Sequence, residues 1–266
     1  MKNEPVVCYL FTSFDEHSSL KNFIINYKNY KSGINHKLVI CFKLFKNHEI
    51  KELKNFLINL EYTSFIDPIT INDFDFGSYK RVAEKYPQNQ ILFLNSHSYP
   101  ICENWLLKLI NYSNDNTLIG TSASNESILD SIILKKKYKI ISHIFKKVYL
   151  KKRFQVFPNP HIRTSSFLLY GEKFLDYMNN KKIVSKQDTW EIESGKNSLF
   201  NHFKDNNYNV YIINSDGNKF EEKDWKLSET YNYFKQSKSI ISDKHTRKYE
   251  ALDDSDKFLS RMKVWG

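Results

Sequence analysis

The stretch Gln90-Ile91-Leu92-Phe93-Leu94-Asn95-Ser96-His97-Ser98 decides how the rest of the chain is read. Its apolar run, residues 91–94, lies between polar residues and predicts a short strand buried on both faces, because a half-exposed strand would alternate. Glu103-Asn104-Trp105-Leu106-Leu107-Lys108-Leu109 follows, with Trp and Leu spaced as in a helix packed back on that strand. Where the strand ends, small side chains with hydrogen-bonding oxygens replace the apolar run. Ligands of open α/β sheets bind just outside the carboxyl ends of the strands, so Asn95, Ser96 and Ser98 are candidate ligand contacts. His97, alone among them, reads as a loop residue rather than a metal ligand.

Outward from this strand, the N-terminal half alternates strand and helix patterns. Strands are predicted at 6–11, 37–42 and 64–71. Helices are predicted from 18 with Ser18 as N-cap, over 49–60 with Leu53, Phe56, Leu57 and Leu60 on one face, and over 77–85. Such alternation predicts the α/β class, a mostly parallel central sheet flanked by helices on both faces. The second half is less regular. Phe157-Pro158-Asn159-Pro160 marks a turn, 164–170 and 209–213 read as strands, and a helix begins at Gly171. Residues 194–204 read as helical, and the tail from Trp225 reads as a polar segment wrapping the surface. No boundary divides the chain, which is expected to form a single domain over 1–266.

Composition narrows the class. With 41% hydrophobic and 15% aromatic residues, seven glycines and six prolines, the 266-residue chain is foldable and poor in linkers. It has no apolar run of membrane-spanning length, and Met1-Lys2-Asn3-Glu4-Pro5 lacks the apolar region of a secretory signal. Cys8, Cys41 and Cys102 are far apart and read as buried free thiols of a reducing compartment. The expectation is a cytoplasmic protein, peripheral on the inner face of the plasma membrane.

The net charge of +10 is uneven: between Ser131 and Gly171 there is no acid. Lys135, Lys136, Lys137, Lys139, Lys146, Lys147, Lys151, Lys152 and Arg153 interleave there with Ile140, Ile141, Ile144, Phe145, Val148 and Tyr149. Over 135–153 this is the pattern of a basic amphipathic helix for an anionic membrane surface, weighed against a merely solvated face. No nucleic-acid motif accompanies the charge, so nucleic acid is not expected as a partner.

Five segments carry candidate chemistry. Phe11-Thr12-Ser13-Phe14-Asp15 ends the first strand, and Ser13 and Asp15 offer hydroxyl and carboxylate acceptors to a ligand, or Asp15 merely caps a helix. Asn72-Asp73-Phe74-Asp75-Phe76-Gly77-Ser78-Tyr79-Lys80-Arg81 opens a helix. There Asp75, a close backbone approach at Gly77, and Lys80 or Arg81 could meet a diphosphate. The third segment is Asn95 to Ser98. His161 and Arg163 alternate around Ile162 and so share one strand face, suited to an anionic ligand. In Lys186-Gln187-Asp188-Thr189-Trp190-Glu191-Ile192-Glu193, the acids Asp188, Glu191 and Glu193 are candidate general bases, and Trp190 could stack on a sugar or sit in the core.

The 90–98 strand and loop with the Trp105-Leu106 helix resembles the mid-domain strand of GT-A-fold glycosyltransferases of the family 2, bacterial surface-polysaccharide type. That strand typically ends in Asp-x-Asp; Asn95 and His97 stand at those positions here, a degenerate form. Glu193-Ser194-Gly195, Asn197-Ser198-Leu199, Thr246-Arg247-Lys248-Tyr249 and Trp265-Gly266 resemble a group of bacterial glycosyltransferase-like proteins, and the likeness runs nearly the full length. The resemblance implies a single GT-A-like, Rossmann-type domain, with a nucleotide-binding half over 1–125 and an acceptor-side half and tail over 126–266. It implies inverting transfer of a hexosyl or deoxyhexosyl unit from a nucleotide-sugar to a surface polysaccharide or lipid-linked glycan, with Asp188 as base. It also implies that the loop carrying Ser13 and Asp15 holds a nucleotide base and ribose. A catalytically inactive glycan- or nucleotide-binding protein is the alternative, and a nucleotidyltransferase, which would want a glycine-rich phosphate loop, is third. Without the two acids no metal is assigned; Mn²⁺ or Mg²⁺ carried by Asp75 or another acid is the alternative.

Overall fold

The computed structural model describes residues 3–69, 71–130 and 140–266. In chain order the first elements are β1 (Val6–Thr12), α1 (His17–Asn29), β2 (Lys37–Lys43), α2 (Asn47–Leu53), β3 (Thr63–Ile66) and α3 (Phe74–Lys85). β4 (Gln90–Leu94), β5 (Tyr99–Pro100), α4 (Trp105–Ile110), β6 (Thr117–Gly120), β7 (Ala123–Ser124) and α5 (Ile140–Arg153) follow. Then come β8 (His161–Ile162), β9 (Ser166–Tyr170), α6 (Gly171–Met178), α7 (Lys186–Ser194) and α8 (Leu199–Asp205). The chain closes with β10 (Asn209–Ile213), β11 (Lys219–Phe220), β12 (Ile241–Ser242), α9 (Lys244–Glu250) and α10 (Asp254–Trp265).

Eight strands form one sheet in the order β11-β10-β6-β9-β4-β1-β2-β3. β1 runs parallel to both β2 and β4, β2 to β3, and β6 to β10, while β9 lies antiparallel between β4 and β6. The α/β class with a mostly parallel sheet is therefore the fold found. Alternate residues of β1 serve opposite faces: Val6, Cys8 and Leu10 pack with Phe76, Tyr79 and Phe174 of α3 and α6. Val7, Tyr9 and Phe11 pack with Leu20 and Phe23 of α1 and Trp105 and Leu106 of α4. Burial on both faces is why β1, β2 and β4 read as unbroken apolar runs.

Several boundaries differ from the sequence reading. α1 starts at His17 with Glu16 in the N-cap position; Ser18 lies inside the first turn and its hydroxyl donates to the Glu16 carboxylate. α2 stops at Leu53 and tightens into a 3₁₀ turn over Lys54–Leu57, which leaves Phe56 exposed rather than on the buried face. β6 was not anticipated. Its Gly120 leaves room for Ile162 and Ile212, each 2.8 Å from where a Cβ would stand. The tail is not a polar wrap: Trp225, Tyr231, Ile240, Ile241, Tyr249, Val264 and Trp265 are buried. Trp265 donates its indole N–H to the Tyr231 carbonyl, anchoring the last helix. Cys8 and Cys41 are buried free thiols, and Cys102 is half-buried.

A charge network ties α3 to the carboxyl ends of β2 and β3. Lys43, 1% exposed, pairs with Asp73 at 2.5 Å, and Arg81 bridges Asp67 and Asp73 at 2.6 and 2.7 Å. Ser78 donates to Asp67 at 2.5 Å. Burial alone would raise Asp73, but Arg81 and Lys43 outweigh it and hold the carboxyl below its usual range. Gly77 faces this carboxylate: a Cβ there would stand 1.8 Å from Asp73 Oδ2. The glycine admits an internal acid, and Arg81 is committed to two acids, so neither is placed to meet a diphosphate as expected. Gly77→Ala should displace Asp73 from two cations and cost about 3–5 kcal/mol in urea unfolding; wild-type stability in that variant would contradict this reading.

Candidate functional site

The chain lays down β1, β2 and β3 in one direction and then returns to place β4 on the other side of β1. The loops leaving the carboxyl ends of β1 and β4 adjoin at this change of winding direction, and α4 packs back on α1, the Trp105 indole N–H donating to the Tyr30 carbonyl at 3.1 Å. The crevice outside these strand ends is the usual ligand position in such sheets. Asp15 closes the β1 loop, its Oδ2 accepting from the Thr12 hydroxyl at 2.6 Å and the Thr12 amide at 3.2 Å. Ser13 beside it is exposed. Across the crevice, Tyr9 donates its hydroxyl to the Ser96 carbonyl at 2.7 Å, fixing the β4 loop to β1. His97 joins the two loops: Nε2 lies 3.5 Å from Asp15 Oδ1 and Nδ1 lies 3.3 Å from Ser19 Oγ.

The β4 loop is self-ordered. Asn95 Oδ1 accepts from the His97 amide at 3.1 Å and from Ser98 Oγ at 2.8 Å. Ser98 is fully buried and also lies 3.0 Å from the Ser165 carbonyl, so it shapes the loop instead of facing a ligand. Ser96 is buried as well.

Arg247, on α9, reaches into this crevice from the far end of the sequence. Its guanidinium donates to the His97 carbonyl and the Ser242 hydroxyl, each at 3.1 Å, and lies 4.8 Å over the Tyr99 ring. Among the described residues it has no carboxylate partner. The Thr246-Arg247-Lys248-Tyr249 motif was visible in the sequence, but only the structure brings it to the β4 loop.

Asp75 sits in the first turn of α3 with no hydrogen bond among the described residues. Burial pushes its carboxyl up to about 6; Lys43 and Lys186 pull it down, while Asp15 and Glu193 push it up. Those four neighbours place Asp75 where the β1 loop, β2, α3 and α7 meet. Glu193, at the end of α7, accepts the Thr164 amide at 3.0 Å with Oε1 and keeps a second oxygen. His161 is buried, its Nδ1 donating to the Asn159 carbonyl at 2.7 Å. Burial, partly offset by Glu193, lowers its pKa, so the imidazole is neutral and Nε2 keeps a lone pair.

Other expected site residues are occupied elsewhere. Arg163 is 7% exposed and paired with Asp243 at 2.7 Å, with its guanidinium 3.7 Å over the Tyr231 ring. Burial would raise Asp243, but Arg163 holds its carboxyl well below the usual range. Asp243 also caps α9 through the His245 and Thr246 amides. The cation expected to meet a pyrophosphate is thus neutralised inside the protein. Asp188 is the third residue of α7, where Oδ2 accepts the Val184 and Ser185 amides and the Ser185 hydroxyl in a capping box. Glu191 pairs with Arg153. Trp190 is 40% exposed and so is not the core residue it could have been. No group of three or more His, Cys, Asp or Glu among the described residues is arranged to hold a metal ion.

No family model matches the chain, and no curated protein matches it by sequence. Solved structures do show likeness in the course of the chain. HddC from Yersinia pseudotuberculosis aligns at 9% identity and a TM-score of 0.41, over 75% of this chain and 97% of its own. A 4-diphosphocytidyl-2C-methyl-D-erythritol synthase from Anaerococcus prevotii aligns at 12% identity and a TM-score of 0.45, over 79% and 88%. The apo-form glycosyltransferase GlyE of Streptococcus pneumoniae aligns at 9% identity and a TM-score of 0.45, over 98% of this chain and 64% of its own. At these identities and scores the likeness says nothing of donor, acceptor or reaction.

The raised carboxyl of Asp75 gives a signed pH effect. In the unfolded chain it ionises near 4, so stability present below that pH is lost as pH rises through about 6. Asp75→Asn should then exceed wild type by about 1–3 kcal/mol at pH 8 and match it at pH 4 in urea unfolding. An equal offset at both pH values would contradict a raised pKa.

Proposed function

We propose that this chain transfers a sugar, with inversion, from a nucleotide-sugar donor to a hydroxyl of a surface polysaccharide or lipid-linked glycan at the inner membrane face. What supports this reading is the meeting of Asp15 and Arg247 at His97, between the β1 and β4 loops, Arg247 having no acidic partner among the described residues. Asp75 and Glu193 add negative charge felt from the Asp15 side. A nucleotide-sugar is a polyhydroxyl and diphosphate ligand, and it needs both acceptors and a free positive charge.

In this reading Ser13 and Asp15 meet base and ribose hydroxyls, and Asn95 and Ser96 line the crevice floor. Arg247, with Lys186 nearby, balances the diphosphate. The acceptor oxygen attacks the anomeric carbon, the bond to the diphosphate breaks, and the attacking hydroxyl loses its proton to Glu193. Glu193 is preferred over Asp188 and Glu191 because those two carboxylates are spent on a helix cap and an ion pair. His161 and the exposed indole of Trp190 stand on the acceptor side. Mn²⁺ or Mg²⁺ carried by Asp75 or another acid is the alternative, decided by donor titrations with and without EDTA.

Calorimetry with a panel of UDP-, GDP-, dTDP- and CMP-sugars should show binding of one nucleotide class, and a silent panel would overturn the donor assignment. With the matching donor, Glu193→Gln should lower transfer by roughly 10²–10⁴-fold. Asp188→Asn should keep the rate near wild type while lowering stability by about 1 kcal/mol. The reverse pattern would return the base to Asp188.

A further inference from the structure

We propose that α5 is an interfacial helix that lies in the headgroup plane of an anionic lipid bilayer. Of the basic stretch, Lys135, Lys136, Lys137 and Lys139 lie outside the described residues, so the inference rests on residues 144–153. Leu150 turns inward and packs with Phe154 on Leu129. The opposite side is open: Ile144, Phe145, Val148 and Tyr149 are between 46% and 71% exposed. At 3.6 residues per turn these four span an arc of roughly 140°, centred almost opposite Leu150. Single exposed apolar residues are ordinary, but four on one helical face are not.

The charges indicate what covers that face. α5 contains no acid, and Lys146, Lys147, Lys151 and Lys152 have no acidic partner among the described residues. Lys147 and Lys151 flank the apolar arc on one edge and Lys146 on the other, while Lys152 falls within it. Lysine is depleted from the buried centre of protein interfaces, and a second copy of this helix would oppose like charges. In a bilayer the lysine stems instead run along the apolar layer and raise their ammonium groups to anionic headgroups. The basic surface continues into a 170 Å³ pocket where Lys152, Lys181, Lys182 and Lys196 surround the Arg153–Glu191 pair. No helix among the described residues is long and apolar enough to cross a membrane, so the contact would be in-plane.

This surface is tied to the candidate site. The Lys196 amide donates to the Arg153 carbonyl at 2.8 Å, and Arg153 pairs with Glu191 of α7, the helix whose last turn carries Glu193. A bilayer on α5 would therefore present a lipid-borne acceptor beside that helix. The binding itself needs no donor, so its failure is separable from failure of the transfer reading.

The test is cosedimentation of the full chain, without donor, with phosphatidylcholine–phosphatidylglycerol vesicles against pure phosphatidylcholine. Binding to the anionic vesicles only, weakened by salt, is expected. Lys147→Gln and Lys151→Gln should each weaken it about fivefold. Phe145→Ser should weaken it at least about tenfold with unchanged thermal unfolding. Binding indifferent to Phe145→Ser would reduce the helix to a charged surface and overturn the proposal. So would vesicles left unbound by a chain whose dimer, seen by light scattering, is dissolved by the same substitution.

Discussion

The central position of β1 is the constraint on which the rest depends. It is hydrogen-bonded in parallel to a strand on each side and covered by helices on each face, so six of its seven residues are buried and only Thr12, at its end, meets solvent. A strand so enclosed can offer function only at its end. The return of the chain to lay β4 beside it puts the 12–15 and 95–98 loops next to one another, with the Tyr9 hydroxyl tying the second loop to β1 and His97 reaching Asp15 in the first. Everything proposed about a donor follows from that adjacency.

The cost of burying charge then sorts the basic residues. Arg81 and Arg163 look equally suited to a diphosphate when seen as sequence, yet each is buried or half-buried against acids that neutralise it, as is Lys43. Their work is to fasten α3 to the carboxyl ends of β2 and β3, and the start of α9 to the segment between β8 and β9. Arg247 differs because its partners are a carbonyl, a hydroxyl and an aromatic ring, which hold its position without cancelling its charge. The same accounting separates Glu193, bonded to one backbone amide, from Asp188 and Glu191.

What the sequence could and could not convey follows from the range of each interaction. β1, β2 and β4 were legible because two-sided burial writes itself as a run of apolar residues. The cap made by Asp188 is legible too: Ser185-x-x-Asp188 is a helix-start signature. The partner of Arg163 was not, since Asp243 lies 80 positions away and nothing local marks it. The burial of the tail is not legible locally because its buried residues, among them Tyr231, Tyr249 and Trp265, are spaced among polar ones and are covered only by distant elements. Gly77 looked like a ligand glycine, and only the position of the Asp73 side chain shows what it accommodates.

Fold, charge compensation and site converge on one claim, that a nucleotide-sugar lies across the ends of β1 and β4 beneath Arg247. Amide hydrogen exchange measured with and without the nucleoside diphosphate that binds in calorimetry tests it most directly. The account predicts added protection in residues 12–15, 95–98 and 243–247, lost in Arg247→Gln. Protection confined to the basic pocket between α5 and α7, with the β1 and β4 loops unchanged, would contradict it.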